Sequence, residues 1–259
     1  AVLDNKYTIR LRKETHMASA LILSGGTGSR LGASVPKQYI KVDEKPVIYF
    51  CIEQLSKHEG IDSIQVVAAK QWHNVILECF KEVGCAKFFG FSEVGITRQL
   101  SIYNGLTDIR KYANDTSCVL IHDAARPLIS AEIITRSLKA VEGHDGVLPV
   151  LSMKDTIYES IDGKQVSALL NRETLYAGQA PETFRIGPYY RANERLLPDK
   201  IREINGSTEP AVLAGLDIMM IQGDEQNFKI TTKEDLDHFC DVLKQRQCAY
   251  FQPLPAPDT

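Results

Sequence analysis

The feature that most constrains the fold is a rhythm. From Ala18 onward, short β-branched, apolar runs alternate with longer amphipathic ones, which predicts a mainly parallel sheet with helices on both of its faces. "SALIL" reads as a first strand, "PVIYFCIEQLSKH" as a helix, "SIQVVAA" as a second strand and "WHNVILECFKEV" as a second helix. The unit then repeats. "AKFFGF" and "SCVLIHD" read as strands, "TRQLSIYNGLTDIRKY" as a helix, and "SAEIITRSLKAV" as a helix with Ser130 at its N-cap. After Gly146 the rhythm changes: "GVLPVLSM", "DTIYES" and "QVSALL" are extended in character, and "IDGK" carries the Asp-Gly signature of a tight turn. A hairpin inserted there would serve as an arm clasping another subunit, or would fold back on its own domain. "DIMMIQG" and "NFKI" return as strands, and "KEDLDHFCDVLKQ" closes the chain as a helix.

The expected organisation is a Rossmann-like, doubly wound α/β domain over 17–247 with a β-arm at about 150–175. It is flanked by a flexible leader or expression remnant at 1–16 and a proline-bearing tail at 248–259. With 259 residues and 44% hydrophobic content, the chain can bury a core unaided. A formal net charge of -3 gives no global field to draw it to nucleic acid or an anionic membrane, so any polyanion must be met by a local cluster. The six cysteines form no CxxC pair and several sit in apolar runs, as buried thiols in a reducing compartment do. No apolar stretch approaches the ~20 residues that span a bilayer, and no secretory h-region opens the chain. The expected location is cytoplasmic.

The first strand leads into "LSGGTGSRLGASVPKQY" at 23–39. Glycine-rich backbone after a strand lets main-chain N–H groups converge without side-chain obstruction, which suits phosphate oxygens. The segment lacks the Lys-Ser/Thr ending of a Walker A loop and fails the third glycine of GxGxxG. Its distinctive cations are Arg30 and Lys37, the latter presented after Pro36, which biases Val35 away from helix.

These residues, Ser24, Gly25, Gly26, Thr27, Gly28 and Arg30 with "PKQY" at 36–39, resemble the signature loop of nucleotidyltransferases that join a nucleoside monophosphate to a sugar or polyol phosphate. The short gap between Arg30 and Lys37 resembles the cytidylyltransferase branch, acting on 2-C-methyl-D-erythritol 4-phosphate or ribitol 5-phosphate. Four further segments occur in the family's order: "GITRQLSIYNGL" at 95–106, "HDAARP" at 122–127, "NRETLYAGQAPETF" at 171–184 and "FKITTKEDL" at 228–236.

The resemblance implies transfer of CMP from CTP to a polyol phosphate with release of pyrophosphate, assisted by Mg2+. Arg30 and Lys37 would act on the triphosphate, and Arg172 and Lys229 would hold the attacking phosphate. Ser24, Gly25, Gly26, Thr27, Gly28, Gly95, Arg98 and Ser101 would bind CTP, unless Arg98 and Ser101 are merely helix-capping residues. Asp123, Arg126, Ser207 and Thr208 would face the acceptor, with Asp123 also touching the metal or else orienting Arg126. A homodimer through the β-arm, with Arg172 at its base serving the neighbouring site, completes the implied picture. Cytosine is told from uracil by its exocyclic amine, which calls for an acceptor such as the carbonyl of Ser24, Gly25, Gly26 or Gly95. His122 needs no catalytic part, because a phosphate acceptor is already ionised; it reads as buried and hydrogen-bonded. Trp72 reads as packing.

Two departures concern the acceptor. The methylerythritol enzymes carry Thr-Asp near 208, where this chain has Ser207 and Thr208 with Glu209 the nearest acid, and Ala180 replaces a threonine before the proline of "TPQ". "HDAARP" and "MKDT" favour methylerythritol phosphate, whereas "YAGQAPETF" favours a pentitol phosphate such as ribitol 5-phosphate. A non-catalytic nucleotide-binding protein on the same scaffold and a uridylyl- or guanylyl-transferase are the remaining alternatives.

Overall fold

The computed structural model describes residues 18–26 and 35–249, with side chains to 246. The expected leader, Thr27, Gly28, Arg30 and most of the expected tail lie outside the described residues. The sheet is founded on β1 (Ala18–Leu23). A ribbon of β2 (Lys41–Val42) and β3 (Lys45–Pro46) turns through Asp43 and Glu44, both at positive φ, and leads into α1 (Val47–Lys57). There follow β4 (Ser63–Val67), α2 (His73–Val83), β5 (Phe88–Ser92), α3 (Arg98–Ile109), β6 (Cys118–Asp123) and α4 (Ala131–Ala140).

Local chemistry explains these helices. In α1, Val47, Ile48, Cys51, Ile52 and Leu55 are all buried, one face of a 3.6-residue period. Gly84 ends α2 in the left-handed region at φ 69°, which a residue with a Cβ resists. Thr97 Oγ1 accepts the Leu100 N–H to cap α3, and Ser130 Oγ accepts the Ile133 N–H to cap α4 as the sequence predicts.

Strands β4, β1 and β6 pair in parallel, with β5 parallel on the outer edge. Helices cover both faces. Ala20 and Ile22 of β1 face a core shared with α1, α2 and α4, while Leu21 faces one shared with α3 and α5 (Ile186–Glu194). Alternate side chains of one strand thus feed opposite cores, as a doubly wound sheet requires.

Beyond β6 the sheet becomes mixed. The strand β7 (Gly146–Ser152) is followed by β8 (Ile157–Glu159) and β9 (Ala168–Leu170), an antiparallel ribbon that forms its own sheet. The ribbon turns at Gly163, φ 69°, where Asp162 Oδ1 accepts the N–H groups of Lys164 and Gln165. The strand β10 (Tyr176–Gly178) returns antiparallel to β7, and β11 (Glu182–Arg185) fits antiparallel between β6 and β7. After α5 come α6 (Glu209–Leu213), β12 (Ile218–Gln222) on the outer edge of β7, and α7 (Lys233–Ala249), which runs past the expected tail boundary at 248.

One expected strand does not form. "NFKI" crosses the carboxyl end of the sheet as irregular chain. Its backbone is held by scattered bonds rather than a ladder, Asn227 N–H donating to Asp224 O and Ile230 N–H to Ala125 O, and the buried Asn227 side chain donates to Ala180 O. Among the described residues no helix is long and apolar enough to cross a membrane.

Candidate active site

Parallel strands deliver ligands to the crevice at their carboxyl ends, where crossovers diverge to opposite sides. Leu23 on β1 aligns with Val67 on β4 and Asp123 on β6 at that level. A cavity of about 500 Å3 opens there, lined by Gly25, Gly26, Lys37, Gly95, Arg98, Ser101, Asp123 and Lys229, with Gln38, Val94, Ile96 and Thr231 among its other walls. Four sequence segments far apart in the chain meet in it.

The glycine segment leaves β1 with Ser24 N–H still bonded to Val67 O. A 3-10 turn over Lys37–Tyr39 then grips it. Ser24 Oγ donates to Tyr39 Oη at 2.7 Å, the Tyr39 hydroxyl donates to Ser24 O, and Gln38 Nε2 donates to Ser24 O and Gly26 O. Tyr39 is braced by Trp72, their rings stacked 4.1 Å apart. Trp72 is therefore packing, as the sequence suggests. Gln38 and Tyr39 are functional neighbours that sequence reasoning passed over, although both stand in the quoted "PKQY".

The second wall is the turn into α3. Gly95 N–H donates to Ser101 Oγ at 3.0 Å, and Ser101 Oγ donates to Thr97 O at 3.1 Å. A Cβ at Gly95 would stand 2.5 Å from Leu100 Cβ and 2.7 Å from the Ser101 nitrogen, so only glycine fits. The α3 cap is Thr97, leaving Arg98 to point into the cavity rather than cap the helix.

Asp123 is the hub. Its Oδ1 accepts from Arg98 Nη2 at 3.0 Å and Nε at 3.3 Å, and its Oδ2 faces Lys229 Nζ at 2.9 Å and Arg126 Nε at 3.7 Å. Burial opposes ionisation of this carboxyl, but the Arg98 and Lys229 charges outweigh it and hold the pKa far below the usual range. Burial likewise pulls at Arg98, yet Asp123 and Glu182 raise its pKa. For Arg126 burial prevails and the pKa is lowered. His122 is fully buried, its Nε2 2.9 Å from Arg126 O, and burial pushes its pKa down to about 4. Burial thus favours the neutral ring near pH 7.

The other expected site residues stand behind or beside the cavity. Ser24 is buried under the glycine segment. Arg126 donates Nη1 to Asn227 O at 2.7 Å, tying β6 to the Lys229 segment. Ser207 is buried beside Arg98, whose Nη1 donates to its hydroxyl, and that hydroxyl also favours the ionised form of the nearby Glu182 carboxyl. Thr208 Oγ1 is buried without a partner. Arg172 is exposed at the base of the ribbon and donates Nη1 to Lys154 O at 2.8 Å. Glu182 and Asn227, missed from sequence, tie these pieces together; Glu182 carries a pKa raised by burial and an unpartnered Oε2.

Among the described residues no group of three or more His, Cys, Asp or Glu is placed to hold a metal. The donor set at the cavity is the single ionised carboxylate of Asp123. That suits Mg2+, which keeps waters and takes one or two carboxylates plus substrate phosphates rather than a protein cage.

Comparison with known proteins agrees with this geometry. Residues 18–245 match the family model described as IspD, 2-C-methyl-D-erythritol 4-phosphate cytidylyltransferase. A 2-C-methyl-D-erythritol 4-phosphate cytidylyltransferase of Clostridium perfringens is 34% identical over 228 residues, 85% of this chain and 97% of that relative. A ribitol-5-phosphate cytidylyltransferase of Vibrio parahaemolyticus is 29% identical over 232 residues, 89% of this chain and 98% of that relative. The crystal structure of a 4-diphosphocytidyl-2C-methyl-D-erythritol synthase from Anaerococcus prevotii superposes with a TM-score of 0.75 at 24% identity, covering 89% of this chain and 97% of that one, a likeness of fold. With nearly all of its sheet, its cavity and its cationic cluster inside the matched residues, the chain belongs to the IspD family of cytidylyltransferases.

Proposed function

We propose that the chain transfers CMP from CTP to 2-C-methyl-D-erythritol 4-phosphate. The observation that carries this reading is the convergence of Arg98, Lys229 and Arg126 on one carboxylate at a glycine-walled cavity that Lys37 also lines. An acceptor phosphate oxygen attacks the α-phosphorus; the new P–O bond forms as the bond to the bridging β-phosphate oxygen breaks, and pyrophosphate leaves with that electron pair. The nucleophile is already ionised near pH 7, so no base takes part. The work is to suppress repulsion between two polyanions and align them.

Lys37, with Arg30 seven positions before it in sequence, contacts the triphosphate and the growing charge on the leaving pyrophosphate. Loss of one such preorganised donor typically costs about 3 kcal/mol of transition-state stabilisation. Lys229 holds the attacking phosphate, exchanging part of its bond to Asp123 for it. Gly95, Arg98 and Ser101 hold the nucleoside. The carbonyls of Ser24 and Gly26 already accept from Gln38 and Tyr39, which favours those of Gly25 or Gly95 as readers of the cytosine amine. Bound Mg2+ would be held by Asp123 with triphosphate oxygens and water, and would neutralise phosphate charge.

The β8–β9 arm makes a homodimer in this reading. Tyr158, Ile161, Val166 and Leu169 on it are 60–90% exposed, and Arg172 at its base is directed to the neighbouring subunit's acceptor phosphate. The enzyme works in the cytoplasm, where Cys51, Cys79, Cys85, Cys118 and Cys240, all unpaired, stay reduced.

A second acceptor, ribitol 5-phosphate, is favoured by Ala180 in place of threonine and by the Vibrio relative. Pyrophosphate release from CTP with each polyol phosphate decides between them. Turnover with methylerythritol phosphate at least tenfold above ribitol phosphate is expected; the reverse order selects the second reading, and no release with either rejects both.

A further inference from the structure

Lys229 stands on irregular chain, so neither a ladder nor a helix fixes its backbone. Two pins three residues apart do so instead. Asn227 is fully buried, and its Nδ2 donates to Ala180 O at 2.7 Å, at the junction of β10 and β11. Its own carbonyl accepts Arg126 Nη1 at 2.7 Å, and Ile230 N–H donates to Ala125 O at 2.8 Å. Ala125 and Arg126 belong to the turn that leaves β6 directly after Asp123, closed by Arg126 N–H on Asp123 O. The pins therefore refer the Lys229 backbone to the same turn that carries its ion-pair partner, Asp123 Oδ2 at 2.9 Å. Three residues of chain reach at most about 10 Å, so with both ends tied little is left to move but the flexible side chain. Just upstream, Gln179 grips the same segment as a neighbouring strand would: Nε2 donates to Asp224 O at 3.1 Å and Oε1 accepts Asp224 N–H at 2.9 Å.

We infer that Asn227 is the positioning residue for Lys229, holding that ammonium where an acceptor phosphate meets it. The inference rests on the proposed reading of Lys229 as the group that holds the attacking phosphate. Of the two pins, the bond from Ile230 runs main chain to main chain and survives any side chain, whereas the bond to Ala180 O exists only through the Asn227 amide. The nitrogen end of an amide alone donates, and Oδ1 is buried without a partner, so the Ala180 tie is what this side chain contributes. With it lost, Arg126 still draws on Asn227 O, but the opposing hold from the β10–β11 junction is gone and the chain before Lys229 follows the guanidinium. A shift of about 1 Å in a group that aligns a substrate can cost a hundredfold in rate. None of these bonds involves Gly25, Gly26, Gly95 or Ser101, the walls proposed for CTP, so the loss is selective for the acceptor.

The test measures initial rates for wild type, Asn227→Ala, Lys229→Ala and the double variant, with CTP and whichever of methylerythritol phosphate or ribitol phosphate wild type prefers, residual turnover being followed by mass detection of the CDP-linked product. Asn227→Ala is expected to lower kcat/KM for the acceptor at least about tenfold, while the CTP Kd, read by calorimetry, changes less than about twofold. In the Lys229→Ala background the same substitution should change kcat/KM less than about twofold, because a residue acting through Lys229 then has nothing left to position. Gln179→Ala, which releases Asp224 from the same segment, is the second variant should Asn227→Ala not fold; an acceptor-selective loss that vanishes in the Lys229→Ala background is expected of it too. The full loss in both backgrounds, a loss shared equally by CTP, or wild-type kinetics in the folded variant overturns the inference. Wild type releasing no pyrophosphate with either polyol phosphate would instead bring down the functional reading, and this inference with it.

Discussion

His122 offers a prediction with a number attached. Its Nε2 faces the Arg126 carbonyl, so that nitrogen carries the hydrogen, and Nδ1 is buried with no partner. Protonation would place a second hydrogen on Nδ1 in a fully buried site beside Arg126 and Lys229. Burial therefore lowers the pKa from 6.5 to about 4. As pH falls from about 6.5 the unfolded chain takes up a proton that the folded chain refuses, so stability drops, and the loss is complete near pH 4. The gap is worth about 3 kcal/mol at 1.36 kcal/mol per pH unit. His122→Gln keeps a donor for the Arg126 carbonyl and cannot ionise. Urea unfolding of both proteins at pH 7.5 and pH 4 should show the stability difference between them shifting by about 3 kcal/mol in favour of the variant as pH falls. The imidazole resonances of His122 should remain those of the neutral ring through pH 5.5. Parallel stability curves, or a ring that titrates near 6.5, would refute the argument and reopen His122 as a base.

Three further outcomes are expected. Arg172→Ala and Lys229→Ala should each be nearly inactive, and mixing them under subunit exchange should restore up to about half the activity of one wild-type dimer's sites per heterodimer, because one site then has both residues; no recovery places Arg172 in its own subunit's site. Gly95→Ala drives a Cβ into Leu100 and the Ser101 nitrogen, so it should lower stability by about 1–3 kcal/mol and raise the CTP KM, read by denaturation and initial rates. Asp123→Asn removes the anion shared by Arg98, Lys229 and Arg126: without divalent cation, pyrophosphate should bind more tightly by calorimetry while turnover with Mg2+ falls about a hundredfold.

Much of this structure was legible because local and global signals agree. Ser130 caps α4 where its position before an amphipathic run places it, and the continuous apolar stretch before Asp123 is a strand buried on both faces. The cavity residues Lys37, Arg98, Asp123 and Lys229 carry their own chemistry, so their types betray them. What escaped is decided by tertiary slots. Four residues of β11 behind Pro181 make a strand only because β6 and β7 both offer antiparallel edges. "NFKI" has strand composition but lies across the strand ends, where no edge is available to it. Gln38, Glu182 and Asn227 act through main-chain carbonyls and a buried serine, and such partners leave no spacing pattern in a sequence.

The cluster around Asp123 makes sense only in terms of what it is waiting to bind. Three cations on one buried carboxylate is a poor device for stability, since each ion bears a desolvation penalty that a single shared partner repays incompletely. Apolar side chains of the same volume would serve the fold as well. Glu182 adds a second carboxyl behind Arg98, but burial raises its pKa and one of its oxygens has no partner, so it compensates the cations only in part. On the proposed reading the balance of charge at the cavity is left for an incoming anion, and two anions that repel each other need more of it than one. In the proposed reaction Asp123 would keep the cations converged before substrate arrives, so that phosphate oxygens meet donors already in place and little reorganisation is left for the moment of transfer.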